Sequence, residues 1–543
     1  MADNLLIIND QYNIGHICTT QQCANGHAEA IAMRFITPRL EHTDYTFQDL
    51  DSESNRFANV IEMLGFKPGD VLFTFLPKTP ELFIAVLGAL KARVIVGTLF
   101  SNFGEDALFD RIGDARAKGV ITKRSLLPKI QTIMGRLPDL QHVIIIDEDI
   151  DLPGGILRFD LLMEEGATSY ETAHTAPNTP SLLHYTSGST GKPKGVLHQH
   201  GSVVTQSATA GEVLTLTPSD RYWCTADQGW VTGTSYGIIG PWSLGVSQIH
   251  YAGGYDPEAW FTILQEERIT TWYTAPTALR MLMQQPADFF RRFDISSLHN
   301  IYSVGEPLNP EVIAWAERIL DRQIYDTWFQ TETGAIMISN RPGVPVRPGS
   351  MGTPVTGITP AIIGDDGTLH DAWTPGNLCL HTSWPSMFRT YLNNPEVYAS
   401  KFLNGFYYTG DSAYRDADGY YWFQGRCDDI INTAGHLVSP FEVESALIEV
   451  DEVAESGVVG VPDDLLYEKV VAFVRLRDGF PPSPQLELKV RLWVTQRVSS
   501  IATPQEIIFT DSIPKNQSGK IMRRILKARY SGKELGDTST MEI

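Results

Sequence analysis

Strand-length apolar runs, separated by stretches with helical spacing, constrain this chain more than any other feature. Residues 71–76, 94–97, 119–122 and 142–146 are almost continuously apolar and rich in β-branched residues. Between the first two lies Pro80–Lys91, with Leu82, Phe83, Val86, Leu87 and Leu90 on one helical face. Strand, helix, strand at this spacing predicts right-handed parallel units, and strands without polar alternation predict a sheet covered on both faces. The pattern runs from about residue 45 to 375. At 543 residues the chain needs roughly three or four packing units rather than one core. Pro- and Gly-rich residues 341–357 predict a change of architecture towards a small β subdomain.

The loop from Tyr185 to Gly195 reads Tyr-Thr-Ser-Gly-Ser-Thr-Gly-Lys-Pro-Lys-Gly and is flanked by Leu182, Leu183, Val196 and Leu197. Its glycines (Gly188, Gly191, Gly195) let backbone N–H groups approach an anion. Thr186, Ser187, Ser189 and Thr190 add hydroxyls, and Lys192 and Lys194 add charge. The ordinary nucleotide loop needs Gly-x-x-x-x-Gly-Lys-Ser/Thr; counting from Gly188, Pro193 stands where the second glycine belongs. Seated between apolar runs, the segment is a phosphate cradle of another type rather than a linker.

Composition excludes several classes. A net charge of −21 opposes nonspecific binding to nucleic acid or anionic membranes. Cys18, Cys23, Cys224, Cys379 and Cys427 are odd in number and lack metal spacing, which predicts reduced thiols and a cytoplasmic location. The start shows no signal peptide, and no apolar run reaches the roughly 20 residues of a membrane span. His198 and His200 are two histidines without a third ligand nearby, so a helix-entry or loop role outweighs a metal role. A boundary falls near Arg426 to Asp428. Beyond it the pattern predicts a helix at 440–448, strands at 455–461 and 470–476, and a helix at 486–497. A basic closing helix would bury Ile521, Met522, Ile525 and Leu526 on one face.

Six segments in order resemble the adenylate-forming superfamily of acyl-CoA synthetases, luciferases and peptide-synthetase adenylation domains. They are the phosphate loop, residues 225–233 (most like acetyl-CoA synthetases), 303–309, 325–334, 407–411 with 425–429, and 514–520; the ending 535–540 also resembles bacterial acetyl-CoA synthetases. The resemblance implies an α/β enzyme. Its domain 1–427 would hold packed α/β sheets plus a small β subdomain, and a smaller mobile α+β domain 428–543 would turn about Asp428. It implies ATP or AMP binding by Thr186, Ser187, Gly188, Ser189, Thr190, Gly191 and Lys192, by Gly305, Glu306 and Pro307, by Asp326, Thr327, Trp328, Phe329, Gln330 and Thr331, and by Asp411 and Arg426. It implies Lys520 as catalytic residue, Thr186 and Glu332 for Mg²⁺ carried with ATP, and Trp230, Thr232 and Gly435 for CoA.

Chemistry agrees with these assignments. Asp411 is an acceptor for ribose hydroxyls, Arg426 a permanent forked cation, and Lys520 a cation for the charge developing on the α-phosphate and pyrophosphate. Val231, Thr232, Val304 and Phe329 would line the acyl pocket. At the position of Phe329 acetyl-CoA synthetases carry tryptophan and medium-chain relatives a small residue, so a short acid, acetate or propionate, is expected. The expected reaction is carboxylate, ATP and CoA to acyl-CoA, AMP and pyrophosphate. The alternatives are a medium-chain, branched or aromatic carboxylate ligase, or a non-CoA acceptor. Leu437 and Thr495 stand where acetyl-CoA synthetases carry arginines toward CoA. Expected partners are small molecules, with a lysine acetyltransferase and deacetylase as candidates at Lys520.

Overall fold

The computed structural model describes residues 7–147, 155–186, 193–434, 436–463, 465–516, 520–535, 538 and 541. The fold is α/β with two large sheets, a β subdomain and a smaller α+β unit. Strands Val71–Phe75, Ile95–Leu99, Gly119–Thr122, His142–Ile145 and Pro180–Thr186 pair in parallel within an eight-stranded sheet. A nine-stranded sheet holds Ile31–Ile36, Arg221–Cys224, Ser247–Tyr251, Thr271–Thr274, Asn300–Val304 and Ile324–Trp328, again in parallel. The strand runs predicted from their apolar sequence are buried on both faces: all five residues of Val71–Phe75 are buried.

The reason is the layer between the sheets. Helices Phe47–Met63 and Pro80–Lys91 share one core with Leu72, Val96, Ile121 and Leu182 of one sheet and Ala32 and Met33 of the other. Thr46 and Asp49 form a capping box at the first helix. Pro80 opens the second, where its missing N–H costs nothing. The helices approach so closely that a Cβ on Gly88 would lie 2.7 Å from the Ser54 carbonyl oxygen. Lys91, buried there, pairs with Asp51 at 2.8 Å and Asn55 at 2.7 Å, as a buried charge must.

The β subdomain comprises Pro360–Ile363, Gly376–His381, Phe402–Leu403, Phe406–Arg415 and Tyr421–Arg426. Its first strand therefore starts after the Pro/Gly-rich stretch. Within that stretch, Thr353–Pro354 instead extends the nine-stranded sheet at its edge, where a proline's missing donor is tolerated. Ile431–Thr433 already belongs to the sheet of the smaller unit, with His436–Val438, Val453–Asp463, Tyr467–Leu476 and Glu506–Phe509. The helix Pro440–Ile448 has the expected bounds, and Pro484–Arg497 starts two residues early behind its Ser483 cap. The two expected strands lie within a longer hairpin ladder, which extends the first at both ends, to Val453 and Asp463, and the second back to Tyr467.

The closing segment departs from expectation: the helix is Arg523–Ser531, burying Ile525 and Leu526 but excluding Ile521 and Met522. The chain doubles back first, with Lys515 bridging Ile521 and the Asn516 side chain accepting from the Lys520 N–H at 2.9 Å. The smaller unit rests on the larger through Asn309 Nδ2 to Ser445 Oγ at 2.9 Å and Gln424 to Glu442 at 3.0 Å.

Candidate active site

The site lies beyond the carboxyl ends of the parallel strands, where open α/β sheets present their ligand crevice. Asn300–Val304 ends at Gly305, and Ile324–Trp328 ends at Phe329. Pro180–Thr186 and Lys194–Gln199 pair antiparallel, with Thr186 opposite Lys194 at the foot of the phosphate loop. Ser187, Gly188, Ser189, Thr190, Gly191 and Lys192 lie outside the described residues, as does Gly435.

The strand Phe406–Arg415 alternates strictly, burying Tyr407, Thr409 and Asp411 on one face. Asp411 is only 5 % exposed, and three donors converge on it. Trp328 Nε1 and Gln330 Nε2 each donate to Oδ2 at 3.0 Å, and Arg426 Nη1 donates to Oδ1 at 2.9 Å. Tyr407 donates to Gln330 Oε1 at 3.1 Å, which turns the amide N–H toward Asp411. Arg426 is the register partner of Asp411. A Cβ on Gly410 would stand 2.9 Å from Arg426 Nη2, so glycine is what lets the guanidinium cross the strand. Burial opposes the charge of Arg426, but Asp411 and Asp428 more than offset it and raise its pKa. A carboxylate has about four lone-pair sites; the three named donors leave room for a hydroxyl on Oδ1.

Glu332 accepts from the Tyr391 hydroxyl at 2.8 Å through Oε1. Lys194 Nζ lies 5.7 Å from the centre of the Tyr391 ring, tying Glu332 to the foot of the loop. Among the described residues no cluster of three potential metal-ligating side chains occurs. Thr186 and Glu332 offer one hydroxyl and one carboxylate, so a Mg²⁺ held by them would take its other ligands from water and phosphate.

Lys520 faces this cluster from the smaller unit. Its side chain is exposed. Its pKa is lowered, chiefly by partial desolvation and then by Arg426, against the raising pull of Asp411 and Asp429. Arg523, bonded to Glu444 at 2.6 Å and 3.6 Å from Asp429, anchors the helix behind it.

Other expected residues turn inward. Glu306 is occupied by Thr277 at 2.8 Å and Arg280 at 2.5 Å. Thr327 bonds Tyr273 at 2.6 Å and the Ser303 carbonyl at 2.7 Å. Asp326 accepts from Ser303 at 2.7 Å, and burial pushes its pKa up to about 7. Both bonds to Glu306 use Oε2. Pro307 and Thr331 are half-buried beside these residues. The imidazoles of His198 and His200 diverge: His200 Nδ1 accepts from the Ile14 N–H at 3.0 Å, whereas His198 faces the backbone at Thr331 and Ser386.

Asp326 carries a prediction. Because its folded pKa is raised above the usual carboxylate range, the folded state holds a proton that the unfolded chain has lost between about pH 4 and 7, so stability falls as pH rises through that window. Asp326→Asn keeps the acceptor for Ser303 and removes the buried charge. Its Tm should exceed that of the parent at pH 8, by an amount equivalent to about 2–4 kcal/mol, with the difference shrinking below pH 5. A thermal melt series over pH checks this.

Phe329 packs edge-on against Tyr236, ring centres 5.5 Å apart, in one core with Val304. Tyr236 follows Val231 and Thr232, both buried, on the same helical segment. Trp230 packs edge-on against Phe100 at 4.9 Å, beside a cleft of ≈ 230 Å³ lined with Ser101, Asn102 and Asp227. Leu437 is exposed on the smaller unit. The Thr495 hydroxyl is taken by the Arg491 carbonyl at 2.9 Å and Thr503 at 2.8 Å, so it does not face a ligand. Tyr391 shapes the site although no motif marks it, whereas Tyr407 and Asn516 lie within the segments 407–411 and 514–520 and Lys194 within the glycine-rich loop, without a contact being assigned to them from the sequence.

Parallel sheets with a crevice at their carboxyl ends, and a small α+β unit presenting a lysine to an aspartate in it, define the class of adenylate-forming ligases. The profile of the AMP-binding enzyme family matches residues 20–392, and that of the AMP-binding enzyme C-terminal domain matches residues 442–520. The chain belongs to the AMP-binding enzyme family. It is 45% identical over 535 residues to an acetyl-coenzyme A synthetase of Bacillus subtilis, covering 97% of this chain and 93% of that one. It is 37% identical to an acetyl-coenzyme A synthetase of Salmonella typhimurium, covering 93% and 81%. Among solved structures, an anthranilate CoA ligase in complex with anthranoyl-AMP superposes with a TM-score of 0.88 at 30% identity, covering 97% of this chain and 98% of that one. A benzoate CoA ligase from Burkholderia xenovorans gives 0.83 at 26%, covering 95% and 99%.

Proposed function

We propose that the chain is an AMP-forming acetyl-CoA synthetase, with propionate as a poorer substrate. In the first half-reaction an acetate oxygen attacks the α-phosphorus of ATP, forming acetyl-AMP and releasing pyrophosphate. In the second, the CoA sulfur attacks the acyl carbon, gives up its proton and releases AMP. The observation that carries this reading is the charged cluster itself. Asp411, oriented by Trp328, Gln330 and Arg426, keeps an acceptor site suited to a ribose hydroxyl, while Lys520 faces the same point. Mg²⁺ bound through Thr186 and Glu332 would neutralise phosphate charge. With the boundary between catalytic units at Asp428, a turn there would exchange Lys520 for the hairpin bearing Leu437 between half-reactions. Trp230 and the cleft beside it suit the thiol arm of CoA. Acetylation of Lys520 would silence the first half-reaction.

Phe329 backed by Tyr236 supports a short acid, whereas the structurally similar anthranilate and benzoate CoA ligases act on aromatic acids. The experiment is product analysis across a carboxylate panel with and without CoA. Carboxylate-dependent AMP and pyrophosphate are expected, with acetate best, and acetyl-CoA, AMP and pyrophosphate should regenerate ATP. Formation of ADP and phosphate without AMP would sink the reading, and benzoate outrunning acetate would move it to the aromatic class.

A further inference from the structure

Lys401 has no part in the assignments above, and its surroundings are unusual for a lysine. It follows the short helix Pro395–Ala399, with its N–H donating to the Tyr398 carbonyl at 3.0 Å and its carbonyl accepting from Tyr408 at 2.8 Å. The backbone is therefore pinned to the same strand that carries Tyr407 and Asp411. Its side chain is half-buried, and among the described residues its ammonium makes no hydrogen bond or ion pair. The charges it feels most strongly are Glu332, Arg426, Lys194 and Asp428.

Those neighbours do not satisfy it. Glu332 is shared with the Tyr391 hydroxyl, Asp428 lies beside Arg426, and Asp411 already holds three donors. Burial, with Arg426 and Lys194 close by, lowers the pKa of Lys401. A half-buried ammonium that feels Glu332 without bonding it, with Arg426 and Lys194 also acting on it, is stabilised when a ligand supplies a bonded anion. Position says which part of the ligand. Lys520 couples most strongly to Arg426 and Asp411, on the ribose side. Lys401 also feels Arg426, but it adjoins Phe402, whose ring stacks on Phe388 with centres 6.2 Å apart; Phe388 packs on Tyr391 at 4.9 Å, and Tyr391 holds Glu332 and lies under Lys194, the partner of Thr186 at the foot of the phosphate loop.

We infer that Lys401 is a further binding residue of this site and takes the pyrophosphate end of the nucleoside triphosphate, across the crevice from Lys520. The inference rests on the adenylation reading. Pyrophosphate carries several charges, and each additional charge-assisted contact both tightens ATP and lowers the barrier to separating that charge from the α-phosphorus.

The test compares the full-length enzyme with Lys401→Met and Lys401→Arg. It measures titration of ATP, AMP and inorganic pyrophosphate, acetate-dependent ATP–pyrophosphate exchange, thioester formation from acetyl-AMP and CoA, and thermal melting. Lys401→Met should weaken ATP and pyrophosphate about tenfold, the loss of one charge-assisted contact. It should leave AMP affinity and the acetyl-AMP reaction unchanged, and Lys401→Arg should restore most of the loss. Unchanged ATP and pyrophosphate binding in Lys401→Met overturns the inference. So does a uniform loss for AMP, ATP and pyrophosphate with a lowered Tm, which would make Lys401 structural. If the wild type itself shows no carboxylate-dependent exchange, the adenylation reading fails, and the pyrophosphate titration still decides whether Lys401 binds that anion.

Discussion

Lys520→Ala is expected to lower acetate-dependent pyrophosphate release by about 10²–10³, the usual cost of removing a charge contact made in the transition state. The second half-reaction, supplied with acetyl-AMP and CoA, should survive. The separation follows from geometry. Lys520 sits on the smaller unit in a hairpin tied by Asn516, and it faces Asp411 and Arg426 only while that unit rests as it does here. In thioester formation no pyrophosphate leaves, and the ammonium has no developing charge to offset. The lysine acts protonated, and its pKa is lowered, chiefly by desolvation. The adenylation rate should therefore decline on the alkaline side at a lower pH than an ordinary lysine would impose, and the acetyl-AMP reaction should lack that limb. Rapid-quench measurement of both half-reactions checks this. Equal loss in both, with an unchanged melting curve, would mean Lys520 has another role.

Phe329→Gly should move the substrate optimum away from acetate. In the wild type the ring closes the pocket against Tyr236. One added methylene in an apolar pocket is worth only about 1–3 kcal/mol, so acetate over propionate should be a modest preference. Hexanoate should be rejected strongly, because overpacking against a half-buried ring backed by the buried Tyr236 has no cheap relief. Glycine removes that wall, and the next is Tyr236, fully buried, its hydroxyl held by Thr209 at 2.7 Å and by the Ile336 N–H at 2.7 Å. Acids of four to six carbons should therefore gain, and acetate should lose, its methyl facing an unfilled cavity. The check is kcat/KM for acids of two to eight carbons in both proteins. An unshifted optimum would remove Phe329 from the pocket and with it the main support for a short acid.

The parallel sheets were legible in the sequence because strands buried on both faces must be apolar throughout, as Val71–Phe75 is. The alternation in Phe406–Arg415 works differently: every second residue is buried, yet the buried set includes Thr409 and Asp411, so hydropathy does not mark the strand on which the site is built. The segments at 325–334, 407–411 and 514–520 each announced a polar constellation, since their residue types suit phosphate, ribose and a developing charge.

What the sequence determined, then, was local: which runs become buried strands, and which side chains have the chemistry to serve a nucleotide. Only the tertiary structure decided their use. Asp326 and Thr327 stand in the same segment as Trp328 and Gln330, and Glu306 in the segment before it, yet the first three bond elsewhere in the fold while Trp328 and Gln330 hold Asp411. Alternation puts Asp326 and Trp328 on one face of their strand and Thr327 on the other, so the period alone does not separate them; which positions meet the crevice depends on a strand 83 residues further on. Tyr391 on Glu332, Lys401 beside Lys194, and Lys520 opposite Asp411 come from separate elements, brought together by sheet order and by the seat of the smaller unit. A linear spacing carries no trace of such contacts, because burial and Coulomb interaction act through space and not along the chain.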